Sequence, residues 1–244
     1  MKIGHFLSAI GVGLCTFASA FSQGSLVIND PTAADAPGAV TSDKKYKLSA
    51  AEQSAVDKYV LPKIRAKIAG GACEETIEIA GRHEGSFTKA DAAQTMIFYQ
   101  FCQTGNGLGS AGVVILENGR PVGNFLAEDA GWTIDSAVLP DINQNGVDEI
   151  ELYYSGGMHQ GEGGTGVDIV EYSAGKLKGV GWFQSDGFTD SGPVFGYKVT
   201  TNPGKTPVFF REKCLQNAAG KWRKTGKVLP LKLGETVGKF EAVN

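Results

Sequence analysis

A chain of 244 residues with 20% charged side chains and a formal net charge of −3 is long enough to bury a sizeable core and too evenly balanced to present a basic nucleic-acid face. Its 34 glycines favour a fold with many turns over a helical one. Setting aside the first 20 residues leaves 22 basic and 26 acidic side chains, a net −4, which also argues against electrostatic docking on anionic lipid.

Residues 1–20 read as a signal peptide. Lys2 supplies the positive start, Ile3 to Phe17 is largely apolar, and Ala18-Ser19-Ala20 supplies the small residues that a signal peptidase needs. Cys15 follows the bulky Leu14, which disfavours a lipoprotein site. The expected product is therefore secreted or periplasmic, begins at Phe21 and has no membrane insertion after cleavage. Residues 21–47 are rich in Ala, Pro, Asp, Ser and Thr, a composition that buries too little apolar surface to offset its ordering entropy, and they are expected to be a flexible leader. Residues 48–244 are read as one β-rich domain.

The domain opens on a predicted helix over 49–68. Ser49 and Glu52 have capping-box spacing, and Val56, Tyr59, Val60, Ile64 and Ile68 recur at three and four to make one apolar stripe. Pro62 lacks an N–H and is expected to kink or split the helix near Leu61. Lys58, Lys63, Arg65 and Lys67 make the opposite face basic, a solvated surface. Cys73 follows this helix and Cys102 ends a predicted strand at 94–101. In an oxidising compartment these two, closest in sequence, are the expected disulfide, leaving Cys214 as a small buried hydrophobe. With His83 and His159 as the histidines beyond the signal peptide and no Cys-x-x-Cys pair, zinc is not expected.

From about residue 76 to 240 short apolar runs alternate with turn residues. Strands are predicted at 76–80, 94–101, 112–117, 120–126, 133–139, 149–154, 166–172, 177–184, 194–200, 207–213 and 221–224, with Asn118-Gly119 as a tight hairpin. His83-Glu84 reads as a solvated turn. A faint repeat is visible. Gly85 to Thr88, a strand at 94, a strand at 113, Asn118-Gly119 and Phe125 form one run. Pro140 to Asn145, a strand at 149, a strand at 167, Ala174-Gly175 and Phe183 form a second about 55 residues on, and 192–231 is read as a third unit. The order of elements is that of blade-like antiparallel sheets, a partial or small β-propeller with one N-terminal helix.

One loop states a chemistry. Asp141-Ile142-Asn143-Gln144-Asn145-Gly146-Val147-Asp148-Glu149 places side-chain oxygens at positions 1, 3, 5 and 9, with glycine at 6 to permit a sharp turn and the Val147 carbonyl as a further donor. Calcium takes six to eight oxygens, and alternate residues of a short loop supply them. The bland alternative is an Asn/Gly-rich turn that needs no ion. The loop and the strand behind it resemble the calcium loops of FG-GAP/VCBS repeats, the blades of integrin-α-like β-propellers. That resemblance implies Asp141, Asn143, Asn145 and Glu149 as side-chain ligands of Ca²⁺ and Val147 as the main-chain one, with Asp148 a substitute. Two of the four side chains are amides, which implies weak binding. In the first run the corresponding loop carries Thr88, Lys89 and Asp91, and Lys89 opposes a cation.

The Gly-rich stretch 155–166 carries Met158, His159, Gln160 and Glu162 and is the candidate ligand loop. Two functions follow. The first is a non-enzymatic binding domain with one weak calcium loop and a protein or glycan partner. The second is an extracytoplasmic hydrolase or lyase-like enzyme using His159 and Glu162. No G-x-S-x-G elbow or H-E-x-x-H helix supports the second.

Overall fold

The computed structural model describes residues 24–33, 46–67, 77–102, 109–128, 130–155, 162–190 and 192–243. The signal peptide, Cys73 and the Met158, His159 and Gln160 positions lie outside the described residues. The helical run begins as expected. The Ser49 hydroxyl accepts from the Glu52 N–H while the Glu52 carboxylate accepts from the Ser49 N–H, a complete capping box. α1 (Ala50–Ala55) then passes through a π-helical turn, Val56–Val60, into α2 (Leu61–Lys67). Pro62 does not split the helix. The Leu61 N–H reaches back to the Val56 carbonyl, and this widened turn accommodates the proline with the helix continuing through it.

Among the described residues thirteen strands follow the prediction of a mainly β fold: β1 (Leu26–Asn29), β2 (Glu78–Gly85), β3 (Gln94–Phe101), β4 (Ser110–Glu117), β5 (Arg120–Ala127), β6 (Trp132–Leu139), β7 (Glu149–Ser155), β8 (Glu162–Ser173), β9 (Lys176–Thr189), β10 (Phe195–Asn202), β11 (Val208–Gln216), β12 (Trp222–Leu231) and β13 (Glu241–Ala242). His83 and Glu84 fall inside β2, not in a turn. β1 lies inside the expected leader. Leu26, Val27 and Ile28 supply enough apolar surface to pair with β10, Ile28 is buried, and the Asn29 side chain donates to the Tyr197 carbonyl at 2.6 Å.

The strands form two antiparallel sheets. One runs β13-β5-β4-β3-β2, and the other runs β12-β11-β10-β9-β8-β7-β6 with β1 beside β10. β3 and β4 are buried on both faces. Ile97, Tyr99, Phe101, Val114 and Leu116 meet Val56, Val60 and Ile64 of the helix. Met96, Phe98, Val113 and Ile115 face Ile150, Leu152 and Tyr154 of the other sheet, where Phe98 and Tyr154 meet edge-to-face at 5.7 Å. The helix and the two sheets therefore stack as three layers.

The larger sheet also curls over its own outer face. Tyr153, Val167, Ile169 and Phe183 meet Ile28, Val199 and Phe209 there. β9 pairs with β10 at two positions, and β1 takes the rest of that edge. Bulges at Thr165/Gly166 and Ile169/Val170 strengthen the twist. Close approach demands glycine at Gly166, under the Trp182 indole, and at Gly187, under the Phe195 ring. The chain finally crosses back to the smaller sheet. The Val237 and Gly238 N–H groups donate to the Asp168 carboxylate at 2.9 and 2.7 Å, and β13 joins β5.

This is not a closed propeller. The strands of the expected third unit do not begin a new sheet: β10 pairs onto β9, so the second and third units share one continuous sheet. The expected strands at 166–172 and 177–184 are longer on both sides, because Gly163 and Gly164 pair with Phe188 and Gly187 across β8 and β9. Among the described residues no helix is long and apolar enough to cross a membrane.

Candidate cation-binding loop

The loop between β6 and β7 is folded by its own side chains. Asp141, Gln144 and Gly146 take φ values of 35°, 60° and 91°, the left-handed region that Asp, Asn, Gln and above all Gly tolerate in tight turns. The Asp141 carboxylate accepts the Asn145 N–H at 2.8 Å on one oxygen and the Gly146 N–H at 3.0 Å on the other. Asn143 Oδ1 accepts the Asn145 N–H at 3.1 Å, and Asn145 Oδ1 accepts the Val147 N–H at 3.0 Å. Oxygens of positions 1, 3 and 5 are thus turned inward onto the loop.

Two residues fix this loop to the sheet. Ile142 is fully buried, a plug in the outer core beside Leu139 and Tyr153. Its N–H donates to Glu149 Oε2 at 2.9 Å. Glu149 is itself 0% exposed, and its other oxygen, Oε1, has no hydrogen-bond partner. Burial pushes the Glu149 carboxyl up to about 7, with Glu171 and Asp141 adding negative charge and the Ile142 and Glu149 N–H groups opposing the shift. A buried carboxyl with an orphaned oxygen is costly unless something pairs with it.

The structure also brings in a residue that the sequence reading missed. Glu171, on β8, accepts from the Asn143 side-chain amide at 2.6 Å and from that of Asn145 at 2.8 Å. The β7–β8 ladder ends with Ile150 opposite Val170, and Glu149 and Glu171 are the next residue of each strand beyond that pair. The 22-residue separation hid this, although a hairpin register would have exposed it. Asp148, considered as a substitute ligand, is committed elsewhere. Its carboxylate accepts the Ser86 N–H at 2.7 Å and its N–H donates to the Ser86 carbonyl at 2.9 Å.

That contact ties the loop to its counterpart between β2 and β3. There Phe87 is the buried plug, and Gln94, the first residue of β3, accepts the Phe87 and Thr88 N–H groups at 3.0 Å each. The Gln94 amide donates in turn to the Thr88 hydroxyl at 2.6 Å. Lys89 pairs with Glu117 at 2.8 Å. Below both loops, His83 Nε2 lies 3.0 Å from the Ser136 hydroxyl and links β2 to β6.

Among the described residues no three His, Cys, Asp or Glu side chains stand together at metal-holding spacing. The donor set of the loop is accordingly mixed: the carboxylates of Asp141 and Glu149, the amide oxygens of Asn143 and Asn145, and the main chain at Val147. Every candidate donor in it is an oxygen, the type that hard cations take, and none is nitrogen or sulfur. Glu162 is exposed at the start of β8, opposite Thr189. Cys214 carries a buried free thiol, and Cys102 follows β3 with φ 56°. Two further carboxylates, Asp135 and Glu151, are 0% and 1% exposed and so present no surface to a substrate. Comparison with protein-family models, with curated proteins and with solved structures found no match. The fold and the loop define a class, a two-sheet β domain with one oxygen-lined turn, and the functional reading rests on them.

Proposed function

We propose that the chain is an exported, non-enzymatic binding domain for a protein or glycan partner, with Ca²⁺ stabilising the 141–149 loop and a Cys73–Cys102 bridge near the helix. The observation that carries this reading is the buried Glu149 Oε1, an acceptor without a donor at the base of a loop lined with oxygen. The likeness to FG-GAP/VCBS loops supports the same assignment at Asp141, Asn143, Asn145, Val147 and Glu149. Bound there, the ion would supply positive charge to carboxylates that otherwise face one another, and it would brace a turn that three left-handed residues hold open. The role is structural, which suits a module whose surface does the work.

The test is thermal melting of the mature protein in calcium, in magnesium and in chelator. A ligand that binds the folded state alone raises its stability by about 2.7 kcal/mol when present at 100 times its dissociation constant. Millimolar calcium is expected to raise the melting temperature and magnesium to raise it less, since magnesium demands a tighter octahedron and dehydrates reluctantly. Asp141→Ala is expected to remove the difference. Identical curves in calcium and chelator would show a turn that keeps its shape without an ion.

A further inference from the structure

We propose that the outer strands of the larger sheet, β10 to β12, dock a linear anionic glycan on a strip formed by Arg211, Lys213 and Arg223. The partner is a polysaccharide bearing repeated carboxylate or sulfate groups. The inference rests on the binding-domain reading, whose partner it narrows, and takes nothing from the cation reading of the 141–149 loop.

The even balance of the whole chain conceals a segregation. Residues 195–232 hold nine Lys and Arg against one acid, Glu212, a net +8. The rest of the chain carries 14 basic and 25 acidic side chains, a net −11. Strand register then sorts the charges of β10 to β12 onto two faces. Side chains alternate along β11, so Arg211 and Lys213 share one face and Glu212 takes the other. Lys213 stands opposite Tyr197 of β10, and Arg223 of β12 stands opposite Leu215, two residues further along the same face. The three cations therefore step along the strand direction at about 7 Å, two residues at a time. All three are exposed. The acids of the opposite face are engaged there. Glu212 Oε1 accepts the Gly226 N–H at 3.1 Å, and Asp30 Oδ2 pairs with Lys198 at 2.8 Å.

Edge protection does not explain the strip. Lysines on a free edge strand discourage pairing with other chains, which accounts for charge on β12, the last strand of the sheet. β11 is paired on both sides, so its cations serve no such purpose. The chemistry of the strip selects among polyanions. Arg211 lies over the Tyr197 ring at 4.9 Å and Lys213 over the Phe195 ring at 4.7 Å. Those ring faces are taken and offer no platform on which a nucleic-acid base could stack. The centre of the strip is cationic, whereas the centre of a protein interface is depleted of charge. The field of an anionic lipid surface acts on the whole acidic molecule, while a linear chain engages the strip locally. The guanidinium groups of Arg211 and Arg223 present paired N–H donors to carboxylate or sulfate oxygens. Association of this kind releases counterions and weakens as salt rises.

The experiment is biosensor titration of the full mature protein over immobilised alginate, dextran sulfate and neutral dextran. Polyglutamate, oligothymidylate and phosphatidylserine vesicles stand for the competing classes. Wild type is expected to bind alginate or dextran sulfate and not neutral dextran, with affinity falling about tenfold or more between roughly 50 and 200 mM salt. Arg211→Gln with Lys213→Gln is expected to weaken that binding about tenfold or more while melting like wild type. Arg223→Gln, which touches neither ring contact, should weaken it in the same direction. Lys58→Gln with Lys63→Gln makes an equal change of charge on the exposed face of the helix and should leave binding unchanged. Equal losses in the two double variants would reduce the effect to net charge and overturn the strip. Tighter binding to polyglutamate, oligothymidylate or the vesicles than to either anionic glycan would overturn the choice of partner. Salt-insensitive binding to neutral dextran would overturn the anionic partner and leave a glycan-binding domain standing. No binding to any probe at low salt would sink this inference, while calcium-dependent melting decides the cation loop on its own.

Discussion

The turn between β2 and β3 hangs on Gln94, and the turn between β6 and β7 hangs on Glu149. Both side chains are almost wholly buried, both open a strand, and both accept the N–H of an apolar plug seven residues earlier. Gln94 is satisfied at both ends, its oxygen by two N–H groups and its nitrogen by Thr88. Glu149 is satisfied at one oxygen and orphaned at the other. One turn is complete in itself. The other carries a buried acid with one oxygen unpaired. The two turns thus differ in an amide against a carboxylate at the residue that opens the strand, and in a lysine that pairs with Glu117 in the first turn alone.

The sharpest way to break this comparison is to remove the plugs. Phe87→Ala is expected to cost about 3–5 kcal/mol and Ile142→Ala about 2–5 kcal/mol in denaturant melts. The Phe87 deficit should be the same in calcium and in chelator, whereas Ile142→Ala should also weaken the calcium response. Equal calcium behaviour in the two variants would erase the distinction between the turns.

The strand-opening residues come next. Gln94→Ala strands the Phe87 and Thr88 N–H groups and is expected to cost about 1–3 kcal/mol, with no dependence on calcium. Glu149→Gln keeps an acceptor for Ile142 while removing the buried charge. Its melting in chelator at neutral pH should equal or exceed wild type, and its calcium response should vanish. A large destabilisation in chelator would mean that the Glu149 charge is already neutralised within the fold.

The smallest expected effect is a control remote from both turns. Arg82 grips Glu52 through Nε at 3.0 Å to each oxygen and through Nη2 at 2.7 Å, and this pairing holds the Glu52 carboxyl down at about 2. A carboxyl held below its unfolded value stabilises the fold above pH about 4.5, and that contribution is lost as pH falls toward 2. Glu52→Gln should flatten that acid limb by about 1 kcal/mol and leave calcium binding untouched. A change in calcium binding in this variant would couple the helix to the turns.

Much of the local structure was legible in the sequence because local rules wrote it. Ser49 and Glu52 announced the helix start, Asn118-Gly119 announced a hairpin, and the alternation of short apolar runs announced a mainly β chain. The sequence suggested a faint repeat over 85–125 and 140–183, and the structure shows one shared feature there, an apolar plug whose N–H is held by the residue that opens the next strand. That a Gln stands under one plug and a Glu under the other was not legible from the pattern. Pro62 marked a real irregularity, the π turn Val56–Val60 that gives way to α2 at Leu61, but not a split, because Val56, Val60 and Ile64 are buried on one face and keep the helix continuous.

The sequence by itself determined the elements, the turn chemistry and the inward-facing oxygens of residues 141, 143 and 145, because each depends on residues within a few positions of one another. Tertiary structure alone decided that β1 would leave the expected leader to fill the edge of β10, that β10 would extend the sheet of β9 and leave no closed ring, and that Glu171 would stand beside Glu149. Those outcomes depend on strand register and on which faces find apolar partners. Both are set by contacts between segments far apart in the chain, where no local pattern reaches.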